Sequence, residues 1–356
     1  MGAGYSIQFD GAPDPELGAV TSLEVYECMG ESATFRLRYV PGISEGDLPL
    51  LKDARLSPGS VVAIFAKKSD DATTCLIKGT VYGQQIHLVH GDEGSTLEVL
   101  GADTSITMDR ENKAALWPEV TDTDAVTQIL GTYSLTPDAE STSASHSESK
   151  HVLVQRESDL AFVRRLARRN GFLFWIGCDD TGAAETGYFK RPPLDGDSTA
   201  ELVINLSDPP PNLNSLQISW DVERPTSASA DQVDLNSKSD IAGSVAQSPL
   251  TSLGALALGA IVIDTRSLHL HAPVDDAGDL QARAEAGLIE ADFFVRARGQ
   301  TTAAALGTVL RSHTIVTLRG VGSRHSGKWF CASVRHSIDD SEHRMEFELI
   351  RNGWDN

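Results

Sequence analysis

The C-terminal segment, residues 316–352, contains stretches in which apolar and polar positions alternate, and this pattern restricts what the segment can fold into. Within 344–349 the apolar residues are Met345, Phe347 and Leu349, and the residues between and before them are charged. A period of two places the apolar side chains on one face of a β-strand, whereas a helix would spread them around its axis. The segment is therefore predicted to form three strands joined by short turns, each with one face in a core.

The first 105 residues also predict strands. Residues 35–39 alternate in the same way, and 61–66 form the continuous apolar run that is typical of a strand buried on both faces. Two strand patterns flank Gly83, and a further one includes 97–99. Because short strands at this spacing are typical of closed or layered sheets, a barrel or a sandwich is expected.

The central part of the chain predicts helices. Residues 122–130 carry a one-sided apolar stripe that should end at Gly131, and a polar loop is expected over 138–150. A second helix is expected to begin after the N-cap residue Ser158 and to end at Asn170, before an apolar strand. The sequence thus predicts a compact α/β unit between two β regions.

From about residue 200 the strand pattern returns, interrupted by one long helix within 275–298. An apolar residue recurs there at steps of three and four, which predicts one buried stripe. The stripe comprises Leu280, Ala284, Leu288, Ala291 and Val295.

The chain is strongly acidic. Its formal net charge is -20, with 50 acidic residues against 30 lysines and arginines. Specific nucleic-acid binding is not expected, because phosphate contacts need concentrated Lys and Arg. The charge favours solubility, and it is also compatible with an acidic channel wall that repels acidic cargo.

The four cysteines, Cys28, Cys75, Cys178 and Cys331, are widely spaced and form no C-x-x-C pair. Cys75 and Cys331 lie in apolar strand patterns, so reduced core thiols, a reducing compartment and no structural zinc are expected. No signal peptide and no membrane anchor are recognised, and the longest apolar run, 253–263, is too short to span a bilayer.

The sequence offers few candidates for catalytic or metal-binding residues. His269 and His271 could form half of a metal site, but no further ligand lies at the required spacing, and a chance pair is the better interpretation. His325, His336 and His343 fall within one β region and could converge, but a packing or hydrogen-bonding role is the better interpretation for His336. The acidic pairs at 179–180 and 339–340 lie in turn-like contexts. We therefore expect no catalytic residue, no cofactor and no metal, and a chain that is not an enzyme.

Several segments resemble the hub domain of contractile injection machines, the family that includes phage late control protein D and the hub part of VgrG. The segments most similar to that family are Ser-Gly-Lys-Trp-Phe at 326–330, Val-Arg-His at 334–336 and Glu-Phe-Glu-Leu at 346–349. Gln-Arg-Glu-Ser-Asp at 155–159 and Gln-Ala-Arg-Ala at 281–284 extend the similarity. The resemblance runs from about Asp109 to Arg351 and weakens towards the N-terminus.

The resemblance implies a mainly β chain with an α/β insertion, of the α+β class. Two tail-tube-like β-barrels would flank the inserted α/β domain, and the chains would assemble as a ring-shaped trimer. The corresponding domains are 1–105 for the first barrel, 106–199 for the insertion and 200–356 for the second barrel with its long helix.

The function implied is that of a structural baseplate hub, which joins a hexameric inner tube to a trimeric spike and adapts six-fold to three-fold symmetry. The expected partners are further copies of the chain, the inner tube protein, a separate trimeric spike protein, baseplate and sheath components, and cargo in the lumen. Assembly in the cytoplasm and incorporation into a phage tail-like particle are expected. The alternatives are the hub part of a type VI secretion spike, a tail-associated envelope-degrading enzyme and a carbohydrate- or receptor-binding β module.

Two groups of residues are candidates for partner interfaces. The first is the basic face of the helix after Ser158, which is either a solvated face or a docking surface for an acidic neighbour. It comprises Arg164, Arg165, Arg168 and Arg169. The second is Arg351 with Trp354, which are candidates for contact with the spike. Trp354 is expected to be exposed, because it lies near the C-terminus.

Overall fold

A computed structural model describes residues 4–42, 46–69, 72–90, 93–149, 152–234, 238–262, 264–271 and 277–356. The first part of the chain contains strands β1 (Tyr5–Phe9), β2 (Ala12–Pro13), β3 (Ser22–Cys28), β4 (Thr34–Tyr39), β5 (Val61–Ser69), β6 (Ala72–His87) and β7 (Thr96–Asp103). Short 3-10 helices occupy Pro49–Lys52, Ala54–Leu56 and Thr104–Asp109.

The central part mixes helices and short strands. It contains β8 (Ala115–Trp117), β9 (Val120–Thr121), α1 (Asp122–Thr132), β10 (Thr136–Ala139), β11 (Ser145–His146), β12 (Leu153–Gln155), α2 (Asp159–Arg169), β13 (Leu173–Cys178) and β14 (Glu185–Lys190).

The last part returns to strands, with one long helix. It contains β15 (Ser198–Val203), β16 (Leu216–Trp220), β17 (Ser227–Asp234), β18 (Ser239–Val245), β19 (Leu256–Ala257), α3 (Leu258–Ile261), β20 (Ser267–His271), α4 (Ala277–Asp292), β21 (Val295–Thr302), α5 (Ala303–Leu306), β22 (Ile315–Arg319), β23 (Gly327–Asp339), β24 (His343–Arg351) and β25 (Gly353–Trp354).

One 13-stranded sheet joins the first and last parts of the chain. Its strands run in the order β16-β21-β24-β23-β3-β4-β7-β6-β5-β1-β2, and β22 and β15 branch from β23. The link between the two parts is the antiparallel pairing of β3 with β23, in which Val25 faces His336 and Leu23 faces Ile338. The chain is therefore mostly β, as predicted, and its two β regions share one continuous ladder of hydrogen bonds.

The sheet consists of two halves with the same topology. The first half takes β1, β3, β4, β5, β6 and β7 in chain order and arranges them as β3-β4-β7-β6-β5-β1. The second takes β15, β16, β21, β22, β23 and β24 and arranges them as β16-β21-β24-β23-β22-β15. In both halves the order is second, third, sixth, fifth, fourth, first. The one difference is that β1 runs antiparallel to β5, whereas β15 runs parallel to β22.

A β-bulge fixes which residues of the two halves are equivalent. The fifth strand carries an extra residue at the same place in each half, between Val81 and Gly83 on β6 and between Cys331 and Ser333 on β23. A bulge leaves one residue unpaired and bends the strand, so it is a fixed reference point in the register. Counting across the ladder from the bulge makes the following pairs equivalent: Gly101 and Leu349, Phe35 and Ala297, Val25 and Ile218.

The two faces of this sheet differ. One face packs the main core, to which both halves contribute, for example Leu37 and Val99 from the first half and Val334 and Leu349 from the second. The opposite face is covered at one end of the strands, where Leu173 of the central part packs beside Phe330, Ala332 and Ile350. The other end of that face is open and polar.

The central part has a core of its own, in which α1 and α2 pack on β13 and β14 through Val126, Leu130, Val163 and Phe189. Helix α2 follows its predicted start signal, the N-cap Ser158, and Thr121 caps α1. The division into domains at 105 and 199 stays a prediction.

Four sequence expectations were wrong in detail. Helix α1 continues through Gly131 to Thr132, and the expected loop over 138–150 contains the end of β10 and all of β11. The two strand patterns around Gly83 are one long strand, β6, because the bulge accommodates the glycine without ending the ladder. Helix α4 ends at Asp292, and Val295 instead begins β21, so only the first part of the predicted stripe is helical.

The C-terminus is tied into the fold. Strand β25 pairs with β19, and the Trp354 indole is 8% exposed, with its ring edge-to-face with Phe294 at 5.4 Å. The expectation of an exposed Trp354 was therefore wrong, because Trp354 is part of the last strand, which pairs with β19, and its ring packs on Phe294.

We predict that Trp354→Ala lowers the free energy of unfolding by about 3–5 kcal/mol, since a buried aromatic side chain is replaced by a cavity. Urea denaturation measures the effect. The control is Leu116→Ala at a side chain that is 65% exposed, where a change within about 0.5 kcal/mol is expected. Equal effects of the two substitutions would contradict the burial of Trp354.

Candidate functional site

Arg311, in the segment between α5 and β22, connects the two halves of the sheet. Its guanidinium donates hydrogen bonds to both carboxylate oxygens of Glu27 on β3, with Nη2 2.8 Å from Oε1 and Nε 3.1 Å from Oε2. Nη1 donates to the Cys75 carbonyl at 2.7 Å and Nη2 to the Leu76 carbonyl at 3.0 Å, both on β6. A planar fork of donors suits this arrangement, since it binds a carboxylate and backbone carbonyls at once.

Glu27 is the acidic centre of this junction. Burial by itself raises the pKa of Glu27, but the charge of Arg311 and hydrogen bonds from His336 and Arg311 outweigh burial and lower the pKa to about 2. The carboxylate is only 8% exposed, so it depends on Arg311 for its compensation.

Two histidines extend the network into the sheet. His336 is fully buried, with Nδ1 3.0 Å from Nε2 of His343 and Nε2 3.5 Å from Oε2 of Glu27. Burial lowers the pKa of His343 to about 3, and the neighbouring His336 adds to this. Burial likewise lowers the pKa of His336. The hydrogen-bonding role predicted for His336 is confirmed.

A disulfide joins Cys75 on β6 to Cys178 on β13, with their Cα atoms 6.2 Å apart. The expectation that Cys75 is a reduced thiol was wrong. The two cysteines are 103 residues apart in sequence, so only the packing of β13 against β6 brings them together. Cys331 is a buried free thiol, as expected, and burial raises its pKa.

An aromatic stack lies over the same junction. His313 stacks on Trp175 of β13 at 4.3 Å, and Trp175 stacks in turn on Tyr188 of β14 at 4.6 Å. The rings line a cleft of about 340 Å³ together with Glu27 and Arg311. Residues from all three parts of the chain therefore meet within this one cluster, which we call the Arg311 junction.

Sequence analysis missed Glu27 and Arg311. A signal was present for Glu27, because it occupies the same strand parity as Leu23 and Val25, which predicts a buried position for a charged residue. Nothing in the local sequence distinguishes Arg311, whose partners are distant in the chain.

The predicted basic face of α2 is largely occupied by contacts within the chain. Arg169 donates a hydrogen bond to Asp122, with Nε 2.5 Å from Oδ2, and Arg165 Nε lies 2.6 Å from Oε1 of Glu157. Arg164 donates to the hydroxyl of Ser32, whereas Arg168 is exposed. The role of these arginines in a partner interface stays a prediction.

Arg351 is 1% exposed and does not present its side chain to solvent. Its Nη2 atom lies 2.8 Å from Oδ2 of Asp355 and 2.8 Å from the Leu253 carbonyl oxygen. Arg351 and Trp354 thus hold the C-terminal turn, and the predicted spike contact of both residues remains untested.

The residues considered for metal binding or catalysis lie on exposed strands and in turns. His269 Nε2 is 2.7 Å from Asp231 and Nδ1 is 2.9 Å from the Ser229 hydroxyl, but this set lies on adjacent strands with half of the His269 and Asp231 side chains exposed. Asp179 and Asp339 accept backbone hydrogen bonds within turns, as predicted. Within the described ranges, no three His, Cys, Asp or Glu residues form a group that could hold a metal ion. The side chain of His271 lies outside what the structure describes.

The open end of the sheet face opposite the main core forms a second notable surface, which we call the polar sheet face. From β16 to β7 its strand positions carry Arg36, Arg38, Arg296, Arg298, Arg335 and Arg344 together with Glu24, Glu98, Glu346 and Glu348. A shallow groove of about 640 Å³ crosses it, lined by Tyr26, Gln217, Arg298 and Arg335 among others.

The fold is that of bacteriophage and secretion-system tail proteins. The tail protein from Neisseria meningitidis MC58 superposes with a TM-score of 0.68 at 13% identity, over 99% of this chain and 98% of that chain. The 43 kDa tail protein of prophage MuSo2 from Shewanella oneidensis gives 0.66 at 13% identity, over 98% of each chain.

A third structure extends the likeness beyond phages. The E. coli c3393 protein is described as a component of the type VI secretion system that is structurally similar to the T4 tail proteins gp27 and gp5. It superposes with a TM-score of 0.60 at 14% identity, over 97% of this chain and 76% of that chain.

The chain belongs to the Alg8 N-terminal domain family, whose model matches residues 3–340. No curated protein matches it. The finer assignment to the late control protein D family stays a prediction. Within the described residues, no helix is long and apolar enough to cross a membrane.

We predict that Arg311→Met lowers the free energy of unfolding by about 3–5 kcal/mol, because Glu27 would stay buried without its partner. The double substitution Arg311→Met with Glu27→Gln should recover part of this loss, since the uncompensated charge is removed. Urea denaturation of both variants provides the measurement. Arg319→Met, at an arginine that is 43% exposed, is the matched control, and a loss as large there would contradict a special role for Arg311.

Stability should fall as the pH is lowered below about 6.5. The pKa of His343 is about 3 and that of His313 about 4 in the folded chain, against an ordinary value of 6.5. The unfolded chain therefore takes up protons first as the pH falls, so the free energy of unfolding decreases between pH 6.5 and these lower values. Glu27 acts in the same direction below its ordinary pKa of 4.5.

The variant His343→Gln isolates one contribution to this acid sensitivity. Burial raises the pKa of Asp103 to about 6, which opposes the trend, but Asp103 is common to both proteins. We expect the acid midpoint of His343→Gln, followed by circular dichroism, to lie at lower pH than that of the unmodified chain. His87→Gln at an exposed histidine serves as the control, and identical midpoints for all three proteins would refute the assignment.

Proposed function

We propose that this chain is a structural protein of a contractile tail-type baseplate, and that it forms the central hub between an inner tube and a spike. The likeness of its fold to tail proteins supports the general role. The observation that carries the hub proposal is the duplication of one six-stranded arrangement within a single chain.

The duplication leaves two unpaired strand edges that match the joint already present inside the chain. Within the chain, the second strand of the first half, β3, pairs with the fifth strand of the second half, β23. The equivalent edges are β16 and the segment 82–87 of β6. Among the described residues, β16 pairs only with β21, and 82–87 pairs only with β7.

Repeating the internal joint between chains defines a register. Val25 and His336 are paired in the chain, and their equivalents are Ile218 and Ile86. Leu23 and Ile338 correspond in the same way to Leu216 and Leu88.

The residues that would meet in this register are apolar at both edges. Ile86 and Leu88 are 46% and 54% exposed, and Leu216 and Ile218 are partly exposed. Unpaired edges with exposed apolar side chains are rare in a stable monomer, because they promote association. In a closed ring, one neighbouring copy of this chain would pair with each of the two edges.

A closed ring of three chains is the arrangement we propose. Three chains with two equivalent halves each present six similar positions to a six-fold tube and three to a three-fold spike, so the ring adapts one symmetry to the other. The inner tube protein, a separate trimeric spike, and baseplate and sheath proteins are the proposed partners. Once part of a tail-like particle, the ring transmits the thrust of sheath contraction.

The hub part of a type VI secretion spike has the same geometry, and the likeness to the E. coli c3393 protein keeps it as the second candidate. Isolation of the native particle distinguishes the two. The Arg311 junction and the disulfide suit either role, because they tie the central part and both halves into one unit.

We predict that Ile86→Lys or Ile218→Glu alone prevents trimer formation, because each places a charge opposite an apolar side chain in the joint. The combination of both in one chain should restore the trimer, since opposite charges directly across a strand pair attract. Native mass spectrometry and light scattering measure the assembly. Val233→Lys, at a side chain that is 54% exposed elsewhere, is the control.

A stable dimer or hexamer would overturn the trimer, and restoration by unrelated charge pairs would overturn the register. Electron microscopy of the ring mixed with its tube protein tests the hub role itself. We expect tube rings stacked on one face, and a ring that never binds the tube protein would contradict a hub.

A further inference from the structure

The polar sheet face differs in charge from the rest of the chain. It carries six arginines and four glutamates, whereas the whole chain has a net charge of -20. Asp339, at the end of β23, has the same strand parity, but its carboxylate accepts hydrogen bonds from the backbone N–H groups of Ser341 and Glu342. The expectation of an acidic wall therefore does not describe this face.

The arginines of this face outnumber the carboxylates that they contact. Arg36 and Arg38 share Glu98, with nitrogen-to-oxygen distances of 3.6 and 2.7 Å. Arg296 and Arg298 share Glu348, at 2.6 and 2.8 Å. One carboxylate neutralises one guanidinium, so each trio retains one positive charge. The other two arginines have carboxylates of their own, since Arg335 lies 3.7 Å from Glu24 and Arg344 lies 3.1 Å from Glu342.

The duplication places one arginine of each trio at matching positions. Arg36 and Arg298 occupy equivalent sites in the two halves, since each lies on the third strand of its half at the same position relative to the bulge. Glu98 and Glu346 are also equivalent. In the proposed ring of three chains, the two arginines together form a girdle of six.

The surroundings of the girdle suit an extended chain. Gln217, Gln300 and Ser333 line the groove beside Arg298, together with Glu346 and Glu348, and offer hydrogen bonds to peptide groups. Tyr26 and the edge of Phe347 supply apolar contacts within the same groove. Residues i and i+2 of a strand, such as Arg36 and Arg38, are about 7 Å apart, which is the spacing of alternate side chains in an extended peptide.

We infer that the polar sheet face binds an extended acidic segment of a cargo polypeptide, with Arg36 and Arg298 as its principal cationic contacts. Charge complementarity with the two arginine trios supports an acidic partner. A polypeptide fits better than a nucleic acid, because the glutamates between the arginines oppose a phosphate backbone with about one charge per 1.7 Å. The inference rests on the proposed hub, in which this face would line the lumen.

Fluorescence anisotropy with the full chain tests this inference. The probes are labelled peptides of about 20 residues that alternate Ser with Glu, Lys or Gln, and an oligothymidine of similar length. We expect the Glu-Ser peptide to bind more tightly than the other three, and its affinity to fall as salt is raised, since exposed charges are screened.

The decisive variant is Arg36→Gln with Arg298→Gln, for which we expect about a tenfold loss of affinity for the Glu-Ser peptide. Arg319→Gln with Arg266→Gln removes the same charge from two arginines of matching exposure. Those side chains are 43% and 61% exposed, against 47% and 67% for Arg36 and Arg298. This control should keep the affinity of the unmodified chain.

Three results would overturn the inference: equal binding of the Glu-Ser and Gln-Ser peptides, equal losses in the two double variants, or tighter binding of the oligothymidine. The mass of each sample separates this inference from the hub proposal. A trimer that does not bind the Glu-Ser peptide refutes only the acidic-cargo site. A monomer that binds it through Arg36 and Arg298 supports the site and refutes the ring.

Discussion

The ion pair between Arg311 and Glu27 is the interaction on which the arrangement of this chain depends. Each half of the sheet has strands enough to form on its own, but the halves must also keep one fixed relation to each other and to the central part. The backbone ladder between β3 and β23 supplies the first constraint, and Arg311 adds a second by reaching β3 and β6 together. Because Glu27 is buried, the alternative without this pair leaves an uncompensated charge in the core. The pair therefore makes other relative placements of the halves costly as well as stabilising the observed one.

The local elements could be predicted from the sequence, because their signals are local. Alternation in 35–39 and 344–349 identified β4 and β24, and the N-cap Ser158 marked the start of α2. Three of the failures involve distant partners. Cys75 needs Cys178, Trp354 needs Phe294, and the continuation of β6 past Gly83 needs β7 on its flank. A single sequence without alignment carries no record of such contacts.

The Arg311 junction and the polar sheet face show different limits of sequence-based inference. The basic stretch of α2 was a candidate partner interface because four arginines lie close together in sequence, yet most of them contact other residues of the same chain. The arginines of the polar sheet face are scattered over four strands and become a surface only through the register. Charge density along a chain is therefore a weaker guide to a binding surface than charge density on a sheet, where strands about 4.8 Å apart bring distant residues together.

The joint between β3 and β23 has a kinetic consequence for assembly. Its two partners are tethered in one polypeptide, so this joint forms at an effective concentration that no mixture of separate subunits reaches. A six-position ring made from single units would need five diffusional encounters, each with its own loss of translational and rotational freedom. In the proposed ring, covalent duplication leaves only two. Rings with five or seven positions also cannot form, because each chain adds two positions and the total is always even.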